Sequence, residues 1–106
     1  MASLITRNEL QQKLQRNERF VLAEALPLPY FKKGHLPGAV QLSHEAPEFE
    51  RLGTPDTEVV VYCASLTCQN SHVAAERLRA AGFRDVKVYA GGKQDWVDAG
   101  LPLVRS

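Results

Sequence analysis

Val59-Val60-Val61-Tyr62, closed by Cys63, is a β-branched run with no polar alternation, the pattern of a central strand covered on both faces. The seven residues from Ala64 to Asn70 separate Cys63 from the next periodic segment, where Val73, Ala74, Leu78 and Ala81 recur opposite Glu76, Arg77 and Arg79. That spacing predicts a helix from Asn70 or Ser71 to Ala81, closed by Gly82. Cys63 is thereby expected at the carboxyl end of a buried strand, where loops and helix N-termini of an α/β sheet converge on ligands.

The flanking sequence repeats the alternation. Towards the C-terminus, Val86-Lys87-Val88-Tyr89 reads as a strand, and Gly91-Gly92 leads into a short helix carrying Trp96 and Val97, ended by Gly100 with Pro102 beyond. Towards the N-terminus, Thr6-Arg7-Asn8-Glu9 has the spacing of a capping box, with Ile5 placed to staple onto Leu10, so a helix is expected from Arg7 to Arg16. Phe20-Val21-Leu22-Ala23 reads as a buried strand. Pro27 and Pro29 are expected to interrupt regular structure, and Pro37-Gly38 marks a tight connection before Ala39-Val40-Gln41-Leu42. Glu45 to Leu52 reads as a short helix with Ser43 as its cap, followed by a turn at Gly53-Thr54-Pro55-Asp56. Strands alternating with helices predict an α/β protein with a small central parallel β-sheet flanked by helices on both faces. With 106 residues, no repeat and no linker, residues 1–106 form one expected domain.

Thirteen basic and twelve acidic side chains leave a formal charge of +1, so no overall field draws the chain to nucleic acid or to an acidic membrane surface. Met1 to Glu9 lacks the apolar run of a signal peptide and no stretch reaches the length of a membrane span, so a cytoplasmic protein without membrane or nucleic-acid partners is expected. The two cysteines, Cys63 and Cys68, are not a disulfide framework, and no ligand spacing links them to His35, His44 or His72. No metal and no cofactor are expected; thiol chemistry is the more economical reading. Unpaired amides of a loop, together with the positive end of the following helix, would favour a thiolate at Cys63 and bind a small oxyanion. On position alone, a small buried side chain ending a strand is an equal alternative.

Three stretches resemble, together, the rhodanese-like domain: Gly34-His35-Leu36-Pro37-Gly38-Ala39, then Val59 to Cys63, then Gly82-Phe83 through Tyr89 to Gly91-Gly92, Trp96 and Ala99-Gly100-Leu101-Pro102. The resemblance runs from Phe20 to Leu103. It implies a sulfurtransferase whose cysteine, matched by Cys63, takes a sulfane sulfur from a donor such as thiosulfate or a persulfide and passes it to a thiophilic acceptor, a small or protein thiol. The anion-binding loop matches Ala64, Ser65, Leu66, Thr67, Cys68 and Gln69. Two departures stand out. Cys68 occupies the place of the usual loop arginine, and the loop is about two residues longer than usual, similar to a branch with a second cysteine and a serine ahead of the helix. Glu24, Ala25 and Leu26 replace the early aspartate-valine-arginine motif, and Leu26 cannot supply a cation.

Cys68 has two readings, a resolving thiol for Cys63 or a loop residue without chemistry. Ser65, Thr67 and Ser71 offer hydroxyls to an anion, although helix capping is the expected use of Ser71 and Asn70. Gln69 is a neutral donor or an exposed amide. His35 is expected to be structural, His72 solvated, and Tyr89 and Trp96 core or rim aromatics. Arg84 and Lys93 are candidates for the missing positive charge. Two rival functions are a catalytically weak interaction or redox and sulfur-sensing module, and a phosphatase or arsenate reductase, which would need a cation that residues 63–71 lack.

Overall fold

β4 (Glu58–Tyr62) occupies the middle of a five-stranded sheet in the computed structural model, which describes residues 3–42 and 52–105. The other strands are β1 (Ser3–Leu4), β2 (Val21–Glu24), β3 (Val40–Gln41) and β5 (Asp85–Tyr89), in the order β1-β5-β4-β2-β3 with every pair parallel. The described helices are α1 (Arg7–Gln15), α2 (Leu28–Lys33), α3 (Asn70–Ala80) and α4 (Gly92–Asp98). This is the expected α/β architecture. The helix expected from Glu45 to Leu52, with its Ser43 cap, lies outside the described residues except for Leu52.

The apolar run of β4 is two-sided, as its composition requires. Val59 and Val61 pack with Ala74, Ala75 and Leu78 of α3 on one face. Val60 and Tyr62 pack with Leu10 of α1 and Trp96 of α4 on the other. Val59, Val60, Val61 and Tyr62 are fully buried, each contributing about 2 kcal/mol of hydrophobic stabilisation.

Three local expectations change. Pro27 and Pro29 start α2 instead of interrupting the chain: Pro27 is the N-cap and Pro29 lies in the first turn, where its missing N–H removes no helical hydrogen bond. In α3 the buried face is Ser71, Ala74, Ala75 and Leu78, whereas Val73 is 40% exposed; small alanines at the contact let the helix approach the sheet closely. Ser3–Leu4 forms an edge strand on β5, too short to have announced itself by periodicity. The capping box of α1 forms as expected, with Glu9 N–H donating to Thr6 Oγ1 at 3.2 Å and Thr6 N–H to Glu9 Oε1 at 3.0 Å.

Parallel register aligns the last residues of the three central strands, Glu24 with Tyr62 and Tyr62 with Tyr89. The chain segments that leave these ends are locked together by backbone. Lys93 N–H donates to Cys63 O and Gln94 N–H to Ala64 O, both at 2.9 Å. Gly92 makes the approach possible: its φ is +67°, and a Cβ there would stand 2.4 Å from Cys63 O.

Gly92→Ala is expected to cost about 3 kcal/mol in urea denaturation, combining strain with the clash. Gly100→Ala, at φ +80° but facing open space, should cost about 1 kcal/mol, the left-handed penalty alone. Tyr62→Phe should cost about 2 kcal/mol, because it strips a hydrogen bond from a buried carboxylate, Glu24, and an acceptor from Leu36 N–H.

Candidate active site

Cys63 is the first residue beyond β4 and is 1% exposed. Its Sγ donates towards Cys68 O at 3.3 Å and Ser71 Oγ at 3.5 Å. The loop folds back over it through a turn in which Cys68 N–H donates to Ser65 O at 3.1 Å, with the Ser65 and Thr67 hydroxyls 3.1 Å apart. α3 then starts at Asn70. Its N-cap is Gln69, with no side-chain capping bond, so neither Asn70 nor Ser71 caps as expected. Ser71 instead sits one residue into the helix and turns its hydroxyl to the sulfur of Cys63.

The carbonyls of Cys63 and Ala64 are drawn to α4 by the amides of Lys93 and Gln94. In a planar trans peptide the N–H points opposite to the C=O, so the amides of Ala64 and Ser65 face away from α4, into the loop. The amides of Ala64 and Asn70 favour the charged form of Cys68, and the amide of Ser71 that of Cys63.

This arrangement corrects the expectation that the loop ionises Cys63. Burial pushes the Cys63 thiol up, reinforced by its hydrogen bond to the Cys68 sulfur and only partly offset by Ser71. For Cys68, burial also disfavours the charge, but the Cys63 donor and the two amides outweigh it and bring the thiol down. The physical cause is the distribution of donors: Cys63 faces a carbonyl oxygen in a dry setting, while half-buried Cys68 receives the converging N–H groups. Of the two thiols, Cys68 is thus the one held lower and Cys63 the one held higher.

Behind Cys63 lies a polar chain. Leu36 N–H donates to Tyr62 Oη at 3.0 Å, and Tyr62 O–H donates to Glu24 Oε1 at 2.9 Å. Glu24 Oε2 lies 3.2 Å from Lys93 Nζ, yet this contact is poorly aligned, and the ammonium donates to Tyr30 O at 3.0 Å. Burial raises the Glu24 carboxyl above its ordinary value against the pull of Tyr62 and Lys93. Lys93 is therefore beside the site through its backbone, with its charge committed to Glu24. Arg84, the other candidate cation, pairs with Asp56 at 2.6 Å next to the opposite, amino-terminal ends of β4 and β5.

Of the expected loop residues, Ala64, Leu66, Thr67 and Gln69 are exposed, and Ser65 and Cys68 half-buried. Ser65, Leu66 and Thr67 line an open groove with Gly91, Gln94 and Asp95 of the α4 side. His35 is structural: it stacks on Phe31 at 3.9 Å between centroids, and its Nδ1 lies 2.9 Å from Phe31 O. Trp96 is core, donating to Pro102 O at 3.0 Å. His72 is half-buried in the first turn of α3. Sequence reasoning missed the two α4 amides, and it placed helix capping ahead of the contact that Ser71 makes with the sulfur. Gly92 was the available signal for the first, since a paired glycine after a strand marks close backbone approach. Among the described residues no cluster of three His, Cys, Asp or Glu side chains could hold a metal, and no helix is long and apolar enough to cross a membrane.

The fold has many solved counterparts. A rhodanese-like domain from Anabaena sp. superposes with a TM-score of 0.85 at 24% identity, covering 100% of this chain and 81% of that one. A human single-domain sulfurtransferase gives 0.79 at 18% identity, over 92% and 97% of the two chains. A thiosulfate sulfurtransferase from Pseudomonas aeruginosa gives 0.83 at 22%, where 98% of this chain matches 20% of the larger one. No match was found among curated proteins. At the level of sequence, residues 6–99 match the rhodanese-like domain family, and the chain belongs to that family.

Proposed function

We propose that this domain is a sulfurtransferase in which Cys63 carries sulfane sulfur as a persulfide and Cys68 first takes up the proton that Cys63 must lose. The observation that carries this reading is the position of Cys63 directly beyond the central strand, with its sulfur 3.3 Å from the Cys68 carbonyl and 3.5 Å from the Ser71 hydroxyl where the loop folds back over it. Membership of the rhodanese-like family, and the sulfurtransferase names of two structural counterparts, support the same chemistry.

As the Cys63 sulfur attacks the outer sulfur of thiosulfate, its proton passes to the Cys68 thiolate, the S–S bond of the donor breaks, and sulfite leaves with the electron pair. Cys63 then holds a persulfide anion and Cys68 a neutral thiol. A persulfide donor reacts in the same way with a thiolate leaving. Residues 63–71 carry no guanidinium for a doubly charged donor, so binding relies on backbone amides at short range. The acceptor is a small or protein thiol.

The 1% exposure of Cys63 favours a second reading, a sensing or interaction module with poor turnover. Incubation with thiosulfate or glutathione persulfide separates the two. The wild type is expected to release sulfite from thiosulfate in proportion to protein, and Cys63→Ser to release none; equal rates in both would rule out the sulfurtransferase.

The pH profile carries a second test. A lowered Cys68 value means the proton acceptor forms below the ordinary thiol range, so the uptake rate of the wild type should rise with pH through a midpoint below about 8.5. In Cys68→Ser the lowered acceptor is gone and Cys63 must ionise by itself in a site whose burial still disfavours its charge, so the midpoint should move upward, slowing uptake at neutral pH roughly tenfold per unit of displacement. Stopped-flow sulfite release across pH reads both limbs.

A further inference from the structure

Two features of the loop bear on the fate of sulfur once Cys63 has taken it up. The Sγ of Cys63 lies 3.3 Å from the carbonyl of Cys68 itself, so the loop returns its second cysteine onto the first. The turn from Ser65 to Cys68 holds them there. No external acceptor can come as near to a sulfur on Cys63 as its own neighbour does, because Cys63 is covered and Cys68 lies at the rim.

We infer that Cys68 discharges the Cys63 persulfide by attacking its inner sulfur, which releases hydrosulfide and closes a Cys63–Cys68 disulfide, so that turnover is completed by a dithiol reductant. This rests on the sulfur-transfer reading above. The proton that Cys68 took during uptake passes to the terminal sulfur of the persulfide and leaves Cys68 as a thiolate. That thiolate forms the new S–S bond to Cys63 Sγ as the bond to the terminal sulfur breaks, and hydrosulfide departs with the electron pair. The sulfane sulfur is reduced to sulfide, and the two cysteines are oxidised by the same two electrons.

Attack on the inner sulfur is favoured over attack on the outer one by the leaving group. Hydrosulfide is a weaker base than the thiolate of a buried cysteine, and the weaker base leaves faster. Accessibility sets the class of reductant. Only the Cys68 sulfur of the disulfide can be reached, so a reducing thiol is joined first to Cys68, with the Cys63 thiol alongside and able to expel it. A second thiol on the same reductant prevails over that reversal through its high effective concentration.

The test is an anaerobic single turnover with the reduced full chain and thiosulfate, at a pH alkaline enough to ionise either cysteine. Sulfite is read as uptake, sulfide as discharge, and the intact mass as the state of the thiols. The wild type is expected to release sulfite and sulfide in equal amounts, each equimolar with protein, to end two hydrogens lighter, and to resume only when dithiothreitol is added, glutathione at equal thiol concentration being slower. Cys68→Ser and Cys68→Ala should release sulfite, stop one sulfur heavier, and give no sulfide until a thiol is added. A wild type that releases sulfite yet keeps the extra sulfur, with no sulfide, overturns the inference and leaves the sulfurtransferase intact. Absence of both sulfite and adduct overturns the two together.

Discussion

The site depends on a contact between two stretches of main chain, the exit of β4 and the start of α4. Two amides of α4 hold the carbonyls of Cys63 and Ala64, and the absence of a side chain at Gly92 is what permits the distance. Because peptide units are planar, fixing those carbonyls also fixes the direction of the amides that come next in the chain. A loop of seven residues without a cation is thereby given an inward-facing set of donors. Had α4 begun one residue later or carried a Cβ at its start, the loop would have kept its sequence and lost its orientation.

The second constraint is that two thiols, one buried and one half-buried, lie within a single loop. Burial alone would protonate both, and the donors available are few. They are divided unequally: Cys63, whose sulfur meets the Cys68 carbonyl and the Ser71 hydroxyl, is held higher, while the amides of Ala64 and Asn70 help to bring Cys68 lower. A loop arginine would have settled the matter by placing a fixed charge beside the nucleophile. In the mechanism proposed above a second cysteine takes that part with a mobile proton, which makes the state of one sulfur depend on the state of the other.

Much of this is legible in the sequence, and the parts that are not share a cause. The unbroken Val59 to Tyr62 run can only be a strand covered twice, and its clusters on both faces bear that out. The capping box at Thr6 and Glu9 is set by local spacing. Ser71 departs from its expected role because capping is decided by one residue of register at the helix start, which periodicity does not resolve. Val73 departs for a similar reason: Ala74 and Ala75 carry too little hydrophobicity to outweigh it in a pattern, although they are what the sheet meets. Glu24 is hard to place from sequence because a buried carboxylate is explained only by partners far away in the chain, Tyr62 and Lys93. The division of charge between Cys63 and Cys68 depends on where amides point, and no sequence pattern encodes that directly.

The pairing of Lys93 with Glu24, and of Arg7 with Asp95 on the same α4, has a kinetic consequence. Each of these two cations has its field cancelled by its own partner, so neither one draws the anionic donor of the proposed reaction from a distance. Capture then rests on dipoles that act only at contact, and these are indifferent to the ionic atmosphere. Encounter should be slow and nearly unchanged as salt is varied; a rate that falls steeply with ionic strength would mean that some other charge guides the donor in.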